Sequence, residues 1–422
     1  MRRPTTPLSS LTLTLVLAAC GSDSGVSSGA LEVVRDTVGD TLVVRTISGS
    51  AWGSNAHLVP EMSIGELDGD LEYLLGRVVS LGVTSDGTVY FVDSQGPELR
   101  SYDADGTYLA TLAGPGEGPG ELNSPGGGLA VLSDGRVVIR DPGNNRLQVF
   151  HGTEATEAWP VVRGGFQSSS PLWWDWDDNV YVFVVLDMEV DFEDWQTGLA
   201  RIRPDGTPAD TITTPDTGFE TPTVQARSEN SATMSLVPFA AAEETAIHPG
   251  GYYVYGISDR YAVTLLKDDG PLRIEREYEP VPVQAAERDQ RRRRIERNMR
   301  RLEPGWRWSG PGIPDTKPPF SDFYVTRDGR IWVQVPQPSI EEQNPDYDPQ
   351  EENSEPTRWR EPVAFDVFGE DGTYFGRVQA PDGFTTNPTP VIDGDFVWAV
   401  TRDELGIERV VRFRVTLDEP ST

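Results

Sequence analysis

The sequence predicts an all-β chain built by repeating one unit, a pair of short antiparallel hairpins. Three observations carry this. A polar turn containing Gly or Asn followed by an apolar strand recurs six times, at 85–90, 133–138, 177–181, 248–253, 327–332 and 393–398. A second turn follows at Asp105-Gly106, His151-Gly152, Asp205-Gly206, Asp269-Gly270 and Asp371-Gly372, usually just after an aromatic or aliphatic strand end. Only one stretch, 284–303, has convincing helical periodicity.

Taken in order, the chain opens with Arg2-Arg3 and an apolar run over 11–19, too short to cross a bilayer and flanked like an export leader. Leu17-Ala18-Ala19-Cys20-Gly21 resembles a bacterial lipobox. The resemblance implies a lipoprotein signal peptide over 1–19 and a lipidated Cys20, anchored by its acyl chains. Gly21 in place of Asp resembles the outer-membrane form of that signal in a Gram-negative host. Residues 20–30, rich in Gly and Ser, read as a flexible tether. The expected location is the bacterial cell envelope, at the outer membrane.

The stretch 103–150 is the clearest copy of the repeat. Asp105-Gly106 turns a first hairpin into the strand 107–112, the Gly-rich connector 114–122 follows, and Ser133-Asp134-Gly135 turns the next hairpin into 136–140. The copy ends on Asp141-Pro142-Gly143-Asn144-Asn145-Arg146-Leu147-Gln148-Val149-Phe150. Residues 99–152 closely resemble an NHL repeat, through the Gly-rich lead-in, the hairpin and this closing run. The resemblance implies a β-propeller blade. Residues 31–418 are therefore expected to form a single six-bladed β-propeller of four-stranded antiparallel blades, with a short tail at 419–422.

Six first turns and five second turns leave one blade a strand short. Thr41-Leu42-Val43-Val44-Arg45-Thr46-Ile47 has strand character and is expected to supply it by pairing with 410–415, which closes the ring and removes its open edges. A seven-bladed ring is the competitor, if 215–240 hides a degenerate blade. In a four-stranded meander the first and third turns leave one end, and the second turns and blade links leave the other. The Asp-Gly turns are all of the former kind. The long insertions at 186–198, 215–239, 280–320 and 336–362 are all of the latter, so they are expected on one working face.

The helix 284–303 carries eight arginines between Arg288 and Arg301 and a stripe of Ile295, Met299 and Leu302 that fits against the propeller. Glu287 with Arg291, Asp289 with Arg293 and Glu296 with Arg300 stand at i, i+4, which reads as a charge-laced solvated helix or a basic docking element. The segment 340–356 holds seven acidic residues and no basic one, a candidate acidic loop to fold over that helix. Its Asp346 and Asp348 lack the glycine and further ligands that a calcium loop needs. Trp173, Trp174 and Trp176 read as packing between blades, and Trp195, Trp306 and Trp308, in insertions, as candidate stacking anchors. Asp141, Asn144 and Arg146 match polar positions of the NHL motif, and Asp93 repeats the aspartate in the first blade. They are candidate ligand-binding residues beside a structural reading, in which they bond adjacent loops.

Composition narrows the function. A formal charge of −31, spread over the chain, argues against nucleic acid as a partner. One cysteine allows no internal disulfide, and His57, His151 and His248 lie far apart in sequence. No nucleophile, base and orienter set is evident, so no catalytic residue, metal or cofactor is assigned. The expected function is a non-catalytic, membrane-anchored binding protein, a monomer, that recognises an envelope protein, peptide or glycan through Trp195, Trp306, Trp308, Arg291 and Arg294. The alternative is a metal-dependent hydrolase or lyase resembling propeller lactonases.

Overall fold

A computed structural model describes residues 30–126, 128–160, 171–190, 195–229, 231–344, 347–351 and 354–419. The leader, Cys20 and the acidic residues Asp346 and Glu352 lie outside them. Among the described residues the architecture is mostly β, with one α-helix.

Two strands, β1 (Glu32–Val38) and β2 (Thr41–Ser48), form an N-terminal hairpin, and β3 (Ala56–Ile64) follows. Antiparallel four-stranded meanders then succeed one another. Sheets one to three run from Val78–Val83 to Tyr108–Ala113, from Leu129–Val131 to Glu154–Pro160, and from Trp173–Trp174 to Pro208–Thr213. Sheet four runs from Glu243–Ile247 to Gly270–Arg276, and sheet five from Asp322–Val325 to Tyr374–Gln379. Sheet six has only three strands of its own, Val391–Asp393, Phe396–Arg402 and Glu408–Leu417, and β3 supplies the fourth.

The turns form for the reason their sequence suggests. At Asp86, Asp134, Asp205, Asp328 and Asp371 the carboxylate accepts the backbone N–H two residues on, as Asp134 Oδ1 does for Arg136 at 3.0 Å and Asp371 Oδ1 for Thr373 at 2.9 Å, while at His248 the ring Nδ1 takes the Gly250 N–H in its place. Gly135, at φ +84°, takes the left-handed step such a turn requires. Apolar side chains between neighbouring sheets make the core. Phe91, Tyr102, Ile64 and Val410 meet between sheets six and one, for example, and Phe320, Phe368, Val263 and Ile274 between four and five.

The strand that pairs with 410–415 is not the expected one. β2 pairs in parallel with Gly270–Arg276 of sheet four, Val44 opposite Ile274, so that β1 and β2 widen that sheet to six strands. β3 pairs antiparallel with Glu408–Leu417, His57 opposite Thr416 and Ile64 opposite Val410, and touches sheet five in parallel at Ala56 and His57. Pro60, which has no N–H to donate to a ladder, lies beyond the pairing with sheet five. Its missing N–H therefore falls on an open edge.

The seven-sheet alternative also fails, because the described residues of 215–240 form no four-stranded sheet but a two-stranded hairpin, Thr223–Arg227 with Ala232–Leu236. The helix α1 (Ala285–Leu302) packs on this hairpin rather than on the main sheets. Ile295 and Met299 meet Val224, Ala226, Val237 and Trp306 in a separate small core. Of the expected helical pairs only Glu296 with Arg300 forms, at 2.7 Å. Buried Glu287 instead accepts from Ser339 at 2.7 Å, and Arg293 turns to Glu355 at 2.9 Å. A third insertion, the hairpin Ile340–Gln343 with Thr357–Arg360, is tied to α1 through Glu355. That carboxylate takes Arg293, Arg297 at 3.1 Å and Gln290 at 3.0 Å. Burial raises the Glu355 carboxyl, but these donors outweigh burial and hold it below its ordinary value.

Candidate functional site

The first strand of every sheet contributes to the lining of a single cavity of about 390 Å³. Gly82 permits the close approach there, since a Cβ on it would stand 2.2 Å from Leu129 Cδ2 of the next sheet. The two ends of the cavity differ in charge. Glu243 and Glu244 open the first strand of sheet four, and Asp322 opens that of sheet five; both strands follow directly on the long insertions. Arg327 lies at the opposite ends of those strands, where the short turns are.

At the insertion end the carboxyl groups are poorly compensated. Glu244 has no hydrogen-bond or ion-pair partner among the described residues. Desolvation, then the charges of Asp322 and Glu243, push its carboxyl up to about 8. Asp322 accepts from the Phe323 N–H at 2.7 Å and the Tyr324 hydroxyl at 3.0 Å, yet burial still raises it above the ordinary aspartate range. Glu243 accepts from the Thr217 hydroxyl of the preceding insertion at 2.8 Å. Ser80, 2 % exposed on sheet one, lines the same cavity, and its Oγ has no hydrogen-bond partner. Trp173, Trp174 and Phe183 give the wall aromatic surface.

At the turn end Arg327 stacks 5.1 Å from the Trp174 ring centre and donates from Nη2 to Val83 O at 2.7 Å, joining sheet five to sheet one. Its Nε is buried without a partner, and burial pulls its pKa below the usual arginine value. Exposed Trp176 donates to Arg327 O at 3.1 Å and meets the His248 ring edge-on at 5.6 Å. His248 is locked, with Nδ1 accepting from Gly250 N–H at 2.9 Å and Nε2 facing Gly329 O at 3.1 Å. Desolvation lowers its pKa and keeps the ring neutral. Two unlike carboxyls that resist ionisation beside aromatic walls can share a proton or accept a cation. Among the described residues no group of three or more His, Cys, Asp or Glu is placed to hold a metal.

The residues singled out in sequence lie elsewhere. Asp93, 3 % exposed, accepts from the N–H groups of Gly76, Arg77 and Gln95. Asp141 is fully buried and accepts from Asn123 N–H at 2.8 Å, Asn144 Nδ2 at 2.7 Å and Arg146 Nε at 3.3 Å. Arg146 Nη2 also donates to Gly118 O and Glu121 O at 2.7 Å each, and Asn144 to Gly116 O at 3.0 Å. These side chains clamp the Gly-rich connector onto sheet two, and their polar atoms are spent on the protein itself. Trp306 is corrected as well: it is 4 % exposed, and its Nε1 donates to Gln225 O at 2.6 Å in the small core. Trp308 is half-buried beneath Arg292, and half-buried Trp195 donates to Val190 O at 3.3 Å. Arg291 and Arg294, with Arg301, are the helix arginines that have no ion pair among the described residues. The cavity carboxyls escaped sequence reasoning because nothing local marks them; their only signal is an acidic residue directly before an apolar strand.

No protein-family model matches the chain, and no curated protein matches it. Solved structures do. A DUF4221-family member from Bacteroides vulgatus ATCC 8482 matches at 10 % identity and TM-score 0.46, over 86 % of this chain and 99 % of that one. A candidate exported protein from Bacteroides fragilis NCTC 9343 matches at 9 % and 0.45, over 89 % and 100 %. A gluconolactonase from Xanthomonas campestris matches at 12 % and 0.40, over 86 % and 90 %. These neighbours are propeller-like, and no helix among the described residues is long and apolar enough to cross a membrane.

Proposed function

We propose that this chain is a closed six-bladed β-propeller with NHL-like blades, held at the outer membrane by lipid on Cys20, that binds a partner rather than converting a substrate. The partner reading rests on one observation: the long insertions leave the sheets at one end, and three of them pack together into a cap of hairpin, helix and hairpin. Long insertions gathered at one end of a regular scaffold are where such folds put recognition. On that cap Arg291, Arg294 and Arg301 share one side of α1 without an ion pair among the described residues, in a chain of net charge −31. Guanidinium groups left free in so acidic a chain suit an acidic segment of an envelope protein, and they contribute mainly to encounter rate and salt sensitivity.

The test is a photo-cross-linking amino acid placed in cells at Arg294 on the cap or at Asp134 on the turn end. Cross-links to a discrete envelope protein from position 294, lost in Arg291→Glu/Arg301→Glu and absent from position 134, are expected. Cross-links from position 134 alone refute the reading.

A further inference from the structure

The cavity holds a site of its own, distinct from the cap. We propose that its insertion end binds an ammonium group carried on an apolar stem, between Glu244 and Asp322, with Ser80 as a further acceptor. Three features define the ligand. Among the described residues the carboxyls of Glu244 and Asp322 have no cation beside them, although both are half-buried and the charge of Asp322 opposes ionisation of Glu244. A buried carboxylate without a counter-charge is costly, so an incoming cation meets a gap rather than an existing pair. Ser80, on another sheet of the same lining and 2 % exposed, has an Oγ with no hydrogen-bond partner. An ammonium has three donors to distribute, and the cavity offers it carboxyl and hydroxyl oxygens.

The walls decide the stem. Leu81, Leu129, Val131, Trp173 and Phe183 are apolar, and aromatic faces favour a neighbouring cation as well as an alkyl chain. A cation already uses this surface at the other end, where Arg327 stacks on Trp174. Arg327 also fixes polarity: positive charge at the turn end and negative at the insertion end turn a cationic ligand head-first toward Glu244. Neutral alcohols gain only the walls, and carboxylates are repelled from the insertion end. Because Glu244 faces Glu243, Asp322 and Tyr324, and the one cation of the lining stands at the opposite end, loading an ammonium displaces a proton from the Glu244–Asp322 pair. Affinity therefore rises with pH between neutrality and about 8.

Calorimetry at pH 8 with hexylamine as the probe tests this, alongside hexanol, hexanoate and calcium chloride. Saturable binding of hexylamine alone is expected, with proton release. Glu244→Gln should weaken it by about ten-fold or more, the loss expected when a hydrogen bond to a charged group is removed. Asp322→Asn should do the same, and serves as the second variant if the first misfolds. Hexanol binding as well as hexylamine, calcium binding in place of hexylamine, or equal affinity in wild type and both variants overturns the proposal. Arg291→Glu/Arg301→Glu should leave hexylamine binding intact while abolishing the cap cross-links, so the two readings fail separately.

Discussion

Glu244→Gln should make the protein more stable, by an amount that grows as pH rises from the unfolded carboxyl's 4.5 to the folded one's value of about 8. The folded chain raises this carboxyl from 4.5 to about 8, so the folded state holds its proton over a range where the unfolded state has lost it. Stability contributed by this group is thus present in full below pH 4.5, falls as pH rises from there to about 8, and stays lost above. A shift of that size corresponds to a ceiling of roughly 5 kcal/mol. Glu244 lines an open cavity and is half-buried, so solvent screening reduces the realistic figure to about 1–2 kcal/mol. Gln fills the same space and cannot ionise. Urea titrations at pH 5 and pH 9 should give nearly equal stabilities for wild type and variant at the lower pH, and an advantage of about 1–2 kcal/mol for the variant at the higher. A variant that is less stable at pH 9, or a difference that does not change with pH, would refute the claim that Glu244 and Asp322 face each other uncompensated.

Two further predictions follow from buried and terminal groups. Asp366 is fully buried and accepts from Tyr261, Tyr374, Arg276 and Arg377 at 2.8–3.2 Å; Asp366→Ala strands two guanidinium groups and should cost roughly 3–5 kcal/mol in a urea titration, whereas a loss under 1 kcal/mol would show the network to be dispensable. Cys20→Ser should move the protein from the membrane to the soluble fraction without changing its melting temperature; continued sedimentation with membranes places the anchor elsewhere.

Much of the scaffold was legible because its determinants are local. An aspartate that caps the N–H two residues on, and a glycine that takes the left-handed step, work inside four residues, so Asp134-Gly135 and Asp371-Gly372 mark their hairpins without knowledge of the rest. The helix was legible for the same reason. What failed was choice among distant partners. Thr41–Ser48 is the better strand by composition, yet the closing position went to Ala56–Ile64, whose Pro60 is harmless only because one side of it is open. Trp306 looked like a loop anchor because the hairpin that covers it lies some eighty residues earlier in the chain. Glu244 and Asp322 were invisible as a pair for the same reason, since they belong to the first strands of two neighbouring sheets, far apart in sequence.

The central claim is that the sheets close on β3, which sets the insertions and the carboxyl pair at one end of the molecule. Disulfide trapping tests it most directly, in a Cys20→Ser background that leaves no other thiol. His57→Cys with Thr416→Cys places a thiol pair on facing residues of β3 and the last strand, and a second protein carries Arg45→Cys with Arg412→Cys to join β2 to that strand instead. Under mild oxidation the first pair should form an intramolecular disulfide in the native protein, and the second should not. A bond between positions 45 and 412, with free thiols at 57 and 416, would contradict the closure and with it the arrangement of the site.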